Sequence, residues 1–408
     1  MHVAIYEPYP QGHRFTYVRH VVNALRELPV RLTLITSPGA SKTESFRQQL
    51  APLQNSFALD ESVAPADPGQ GKFALALAHA ASLAHAAGRV RPDHLIVPAA
   101  DGTLEMLGAR RLSLRSGAAP AELEAMLMST SWAYNAPGPR RRAKAFAWSV
   151  LVGASAVRTL HVIDPIVYEA YQDQARAIAR RTVLAPDPVE AIPEVSKADA
   201  RARLGIPTDG RLVSCVGRLD ARKGVDLLVR AFLDAPTHAT DRLLLMGKVM
   251  PEVGDLLAAD AAPAVRSGRI IVVDGYVPDE TMNLANAACD LVGVVYRHHS
   301  SSSSILIRAA AQRRPVLTTN LGWMGRTCRQ FGLGFDCNIR NPGELAETLA
   351  RALSSQWSPA PASARFVEFH SIPNALAYWS ARIRERLNLP ALPRRTWAWV
   401  LEAAPEHG

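Results

Sequence analysis

The sequence predicts an α/β protein built from two doubly wound, Rossmann-like domains that face each other across a cleft. Apolar runs of strand length alternate with stretches of helical periodicity, first up to residue 185 and again from residue 212. A proline-rich break, Pro186-Asp187-Pro188-Val189-Glu190-Ala191-Ile192-Pro193, separates the two sets. A chain of 408 residues also suffices for two domains of ordinary size. Strands that alternate with helices form parallel sheets covered on both faces, and ligands bind at the carboxyl ends of such strands.

The first set opens with a strand at Val3 to Tyr6, followed by the loop Pro8-Tyr9-Pro10-Gln11-Gly12-His13-Arg14. Tyr17, Val18, Val21, Val22 and Leu25 then recur at helical spacing, and Leu32 to Thr36 is a second strand. Phe73 to Ala87 reads as an alanine-rich helix, and Leu95 to Val97 as a strand ending at Asp101-Gly102. Shorter strands follow at Met126 to Met128, Thr159 to Ile163 and Val183 to Ala185. The prolines at 188 and 193 suit a linker, and Ser196 caps a short helix ending at Leu204. The second set has strands at Leu212–Val216, Leu243–Gly247, Ile270–Val273, Asp290–Val295 and Pro315–Thr319. Helices are expected at Met282–Ala288, at Glu344–Leu353 and from the serine-rich turn to Ala311. Gly322 to Arg326 reads as a loop, and Ile372 to Leu387 as an amphipathic helix. The expected division is 1–186, a linker over 187–198, a second domain over 199–370, and a C-terminal helical segment, 371–408, returning to the first domain.

Composition narrows the class. Hydrophobic residues at 48% and charged residues at 20% describe a globular protein. The longest nearly apolar stretch, Ala145 to Val157, is short of the ~20 residues that cross a bilayer. Met1 to Tyr6 reads as a strand and not as a secretory leader. Cys215, Cys289, Cys328 and Cys337 show no metal-ligand spacing, so a reducing, cytoplasmic setting is expected, with no metal and no cofactor. The net charge of +9 suits anionic ligands or an anionic membrane surface, and no nucleic-acid motif accompanies it. Its sharpest cluster, Arg140-Arg141-Arg142-Ala143-Lys144, precedes Phe146 and Trp148. It reads either as a patch for peripheral contact with the inner face of a membrane or as a solvated helix start.

The segment Val216-Gly217-Arg218-Leu219-Asp220-Ala221-Arg222-Lys223-Gly224 carries the most chemistry. It joins a buried strand, a glycine turn and a helix start. Free backbone N–H groups and the positive end of the helix dipole point the same way there, which favours an anion. Arg218 and Lys223 add a guanidinium and an ammonium, a clamp for two phosphates. The alternative is a pair of solvated charges on an ordinary turn.

Gly-Arg-Leu-x-x-x-Lys-Gly at this place resembles the family 4 retaining glycosyltransferases of the GT-B fold, and Asp187-Pro188-Val189-Glu190 loosely matches their linker tetrad. The resemblance is good over about residues 180–355 and weak in the first domain. It implies that Arg218 and Lys223 hold the diphosphate of a nucleotide-sugar donor. Aligned on Pro315-Val316, the family's Glu-x7-Glu pair falls on Ser300 and Arg308, so both carboxylates are missing. The first would contact the donor sugar, which puts His299 and Ser300 in the donor-sugar loop. The second would accept hydrogen bonds from ribose, which an arginine at the nucleoside position does not do. Arg308 would instead point at a phosphate or pair with an acid.

Ser300 to Ser304 lead into a helix, so Ser301, Ser302, Ser303 and Ser304 offer a phosphate cradle; the alternative is a low-complexity loop. Gly12 matches the family's glycine-rich loop near the diphosphate, with His13 beside it. His13 and Asp101 are the polar candidates for catalysis in the first domain; a structural histidine and a plain turn are the alternatives. Tyr276 and Val277 match the place that holds the base, or are turn residues. The expected activity is retaining glycosyl transfer from a nucleoside-diphosphate sugar, such as a UDP or GDP sugar, to a hydroxyl acceptor. The alternative is a degenerate GT-B protein that binds sugars or nucleotides as a scaffold.

Overall fold

The computed structural model describes residues 1–10, 14–63, 71–114, 122–134, 138–173 and 176–402. The chain divides into two compact domains. The first comprises Met1–Asp187 with Ile372–Arg394, and the second Pro188–Ser371 with the segment from Arg395.

Seven parallel strands form the sheet of the first domain: β1 (His2–Tyr6), β2 (Arg31–Ile35), β3 (Ala58–Asp60), β4 (His94–Val97), β5 (Glu122–Leu127), β6 (Thr159–Val162) and β7 (Thr182–Leu184). Their order, β3-β2-β1-β4-β5-β6-β7, reverses direction between β1 and β4. Every residue of β1 is buried, as expected of a central parallel strand covered on both faces. Val3 and Ile5 face Val18, Val21 and Leu25 of the helix Arg14–Leu25. Ala4 and Tyr6 face the opposite way, toward Leu83, Leu95 and Leu104.

The helix Ile372–Arg386 completes the first of these cores with Trp379 and Ile383. Beneath it lies a buried polar group. Glu124 of β5 stands between His94 of β4 at 3.0 Å and His161 of β6 at 2.9 Å. Tyr378 places its hydroxyl 2.6 Å from the other ring nitrogen of His161, and Arg382 pairs with Glu122 at 2.8 Å. Burial pushes the Glu124 carboxyl up, but the hydrogen bonds from His161 and His94 outweigh it and hold the group well below the usual carboxylate range.

Six parallel strands form the second sheet: β8 (Leu212–Val216), β9 (Arg242–Gly247), β10 (Ile270–Asp274), β11 (Leu291–Val294), β12 (Val316–Thr319) and β13 (Gly334–Cys337). The order β10-β9-β8-β11-β12-β13 places the topological switch point between β8 and β11. The helix Val225–Asp234 buries Val225, Leu228, Val229 and Phe232 against this sheet, the spacing of a single helical face. Residues 371–408 do not stay together: from Arg395 the chain packs on the second domain. The Trp397 ring lies 5.7 Å from Phe331 and 5.2 Å from Phe369, and Arg365 and Arg395 both stack on Trp399.

Neither β3 nor β13 is marked by an apolar run of strand length, and the expected loop at Gly322 to Arg326 is not one. That segment starts the helix Gly322–Phe331, whose Trp323 is a core residue beside Phe366. Gly325 is required inside it, because a Cβ there would come within 2.3 Å of the Asn320 carbonyl carbon.

Candidate functional site

The turn after β8 is built on glycines that approach other backbone closely. Gly217 has φ +95° and Gly247, at the end of β9, has φ +146°. A Cβ on Gly247 would lie 1.7 Å from the Gly217 carbonyl oxygen, so the two turns touch. Gly224 has φ +67°, and a Cβ there would lie 2.1 Å from the carbonyl oxygen of Val295, just past β11. Only glycine meets both demands. Asp220 orders the turn between them by accepting a hydrogen bond from the Lys223 N–H at 2.9 Å. The same carboxylate takes the Arg218 guanidinium at 3.0 Å, and 59% of the Arg218 side chain stays exposed.

Lys223 reaches back over this turn. Its ammonium donates to the Val216 carbonyl at 3.4 Å and lies 5.5 Å from the centre of the Tyr296 ring. Tyr296, buried directly after β11, also meets Arg222 at 5.8 Å and the His299 ring at 5.2 Å. The His299 Nε2 is 2.6 Å from the carbonyl oxygen of Ser302. Ser303 caps the helix Ser304–Ala311 by accepting from the Leu306 N–H at 3.5 Å. Thus Lys223, Tyr296, His299 and the serine turn form one continuous cluster at the carboxyl ends of β8 and β11. Ser302 and Ser303 are buried, Ser300 and Ser301 half-buried, and Ser304 exposed. Arg297 fastens the cluster from outside by donating to Asp226 and to the Ala221 carbonyl at 2.7 Å. Arg297 and His298 also line a cavity of about 370 Å³ with Leu321, Ile339 and Arg340.

Arg308 pairs with an acid. It donates to Asp279 and to the Asn283 Oδ1, both at 2.8 Å, and so ties its helix to the helix Asp279–Ala288. Tyr276 and Val277 immediately precede that helix. The Tyr276 side chain is highly exposed, at 81%, and Val277 is half-buried. Their loop is anchored by the Gly275 N–H, which donates to the Gly247 carbonyl at 3.3 Å.

In the first domain Asp101 follows β4 and accepts from the N–H groups of Met128 and Ser129 at 3.2 and 2.8 Å. It clasps the ends of β4 and β5, and burial raises its pKa. Gly12 and His13 lie outside the described residues. Two further carboxyls, which no sequence motif singles out, stand near Asp101. Burial pushes Glu7 up to about 7, against the opposing pull of Arg14 at 3.2 Å. Burial likewise pushes Glu105 up to about 7. Glu7 directly follows β1, the position where parallel sheets collect functional side chains, and that placement was the available signal. Tyr296 was missed because an aromatic after a strand reads as core.

Residues 210–355 match the family model described as Glycosyl transferases group 1. A stretch of 167 residues is 30% identical to the D-inositol 3-phosphate glycosyltransferase of Acidothermus cellulolyticus, over 38% of this chain and 36% of that protein. The chain thus spans about a third of that relative's length. The whole fold is similar to that of sucrose-phosphate synthase from Thermosynechococcus elongatus, with a TM-score of 0.67 at 18% identity over 95% of this chain and 99% of that one. It is also similar to Anabaena HepE in complex with UDP, with a TM-score of 0.60 at 16% identity over 95% and 100% of the two chains. At such identities the likeness speaks for the fold. The chain therefore has the two Rossmann-like domains of the GT-B glycosyltransferases, with a match to the glycosyl transferases group 1 family over residues 210–355.

Proposed function

We propose that the protein is a glycosyltransferase that moves a sugar from a nucleoside-diphosphate sugar to a hydroxyl acceptor with retention. The supporting observation is the cluster of Lys223, Tyr296, His299 and the serine turn at the switch point of the second sheet, with the exposed Arg218 on Asp220 in the same β8 turn. A guanidinium, an ammonium and backbone N–H groups at a helix start are suited to neutralise a diphosphate as it leaves. In that reading the sugar's bond to the diphosphate breaks and its bond to the acceptor oxygen forms. The departing phosphate oxygen takes the acceptor proton, so no protein nucleophile is required. His299 and Ser300 stand beside the sugar, and Tyr276 and Val277 beside the base. The UDP bound to the similarly folded HepE supports a nucleoside diphosphate as the ligand class.

The Arg308–Asp279 ion pair favours a second reading, a sugar- or nucleotide-binding scaffold. Where the family resemblance places a ribose-binding carboxylate, this chain has an arginine committed to its own acid. Calorimetric titration with UDP, GDP and ADP, with and without Mg²⁺, separates the possibilities when paired with an assay of donor turnover. Binding with turnover supports the enzyme. Binding without turnover on any donor or acceptor supports the scaffold. No binding to any of them rejects the enzyme and leaves only a scaffold that binds sugar without a nucleotide.

A further inference from the structure

Among the described residues, the first domain carries an exposed face of three helices. They lie side by side: Lys72–Val90, Thr103–Leu114 and Pro139–Ala154. The middle one touches both neighbours. A Cβ on Gly108 would fall 1.7 Å from the Leu151 carbonyl oxygen, and a Cβ on Gly102 would fall 3.2 Å from the Ala76 Cβ. Of the ten exposed large apolar side chains among the described residues, five are on these helices: Phe73, Leu77, Leu112, Phe146 and Val150. In the last helix, Ala143, Phe146, Ala147 and Val150 recur at i, i+3, i+4 and i+7, and all four are exposed. That spacing ordinarily marks the face a helix turns to a core.

The charge is as one-sided as the polarity. The three helices together hold eight Lys and Arg, of which Arg89 is paired with Asp60 of β3, and a single acid, Glu105, which is buried. Arg140, Arg142 and Lys144 crowd the first turns of the 139–154 helix, whose own first turn holds no acid to match the positive end of its dipole. Cations at that end oppose the dipole, so the arrangement weakens the isolated helix, and an external layer of anions relieves it. No helix among the described residues is long and apolar enough to cross a membrane. Exposed aromatic and aliphatic side chains flanked by Lys and Arg match an anionic lipid surface: rings and chains enter the headgroup boundary while the cations meet phosphates.

We infer that this three-helix face docks the protein peripherally on an anionic membrane. The inference is independent of the glycosyl-transfer reading. The test is co-sedimentation of the full chain with vesicles of phosphatidylcholine alone, or containing about 30 mole per cent phosphatidylglycerol. The expected result is at least about tenfold tighter binding to the anionic vesicles, weakening as salt is raised from about 0.05 to 0.5 M. Arg140→Glu with Lys144→Glu should abolish the preference, and Phe146→Ser with Val150→Ser should weaken binding at every salt concentration. Circular dichroism checks that all three variants fold, and Arg266→Glu, a charge reversal at an exposed residue of the second domain, should leave binding unchanged. Equal binding to neutral vesicles, or no binding at low salt, overturns the inference. So does a concentration-dependent dimer without vesicle binding that Phe146→Ser disperses, because it would assign the face to a second copy of the chain.

Discussion

Arg297 closes an ion pair on Asp226 through both carboxylate oxygens, at 2.5 and 2.6 Å. The pair fastens the run that follows β11 to the first turn of the helix after β8, and so keeps the Tyr296 ring beside Lys223. Both side chains are partly exposed, which moderates its strength. Arg297→Ala should lower stability by about 1–2 kcal/mol in urea titrations. Arg297→Lys should fail to restore it, because an ammonium does not span two carboxylate oxygens as a guanidinium does. Full recovery by lysine would show that charge alone matters there.

Lys223→Ala should weaken UDP or GDP binding by ~1–3 kcal/mol, whichever nucleotide the protein takes. Arg218→Ala should fall at the lower end of that range, because its guanidinium is largely exposed and already shared with Asp220. Calorimetry on both variants decides the matter. Unchanged affinity in both removes the phosphate clamp.

Gly247→Ala should destabilise the second domain by about 3 kcal/mol or more, since a positive φ is combined with a direct clash on the Gly217 oxygen. Thermal melts check this. Gly39→Ala is the control: its φ is also positive, but no atom lies within 4 Å of the added Cβ, so only the smaller conformational cost applies.

The Glu7 carboxyl has a folded-state pKa raised from the ordinary 4.5 to about 7. Its proton is held more tightly in the folded than in the unfolded chain. Its contribution is therefore fully present below pH 4.5 and is lost as pH rises through 7. Glu7→Gln should cancel that loss. The stability difference between variant and parent should shift in the variant's favour by up to about 3 kcal/mol between pH 4.5 and 8. A difference that stays flat across this range would mean that Arg14 keeps Glu7 ionised throughout.

The β8 turn was legible because strand, glycine and cation pattern all sit within one short segment. β8 itself runs from Leu212 to Val216, as its apolar run indicates, and Ser196 caps its helix by accepting from Asp199. What escaped was set by partners distant in sequence. β3 is only Ala58–Asp60 and owes its state to pairing with β2. β13 carries a glycine and an aspartate, weak strand formers, and is held by β12. Glu7 and Glu105 look like ordinary acids until the surrounding apolar side chains are in place. The ion pair of Arg308 depends on an aspartate twenty-nine positions away, which spacing alone does not single out.

The path of the chain has a consequence for its synthesis. Residues 188–371 are made as one uninterrupted piece of the second domain, whereas the first domain needs Ile372–Arg394 to be whole. Until those residues leave the ribosome, the sheet face bearing Glu124, His94 and His161 has no Trp379 or Ile383 above it. The domain begun first cannot close its core until most of the other has already emerged. A stall or truncation near residue 371 therefore strands a half-covered sheet, a natural client for chaperones and proteases.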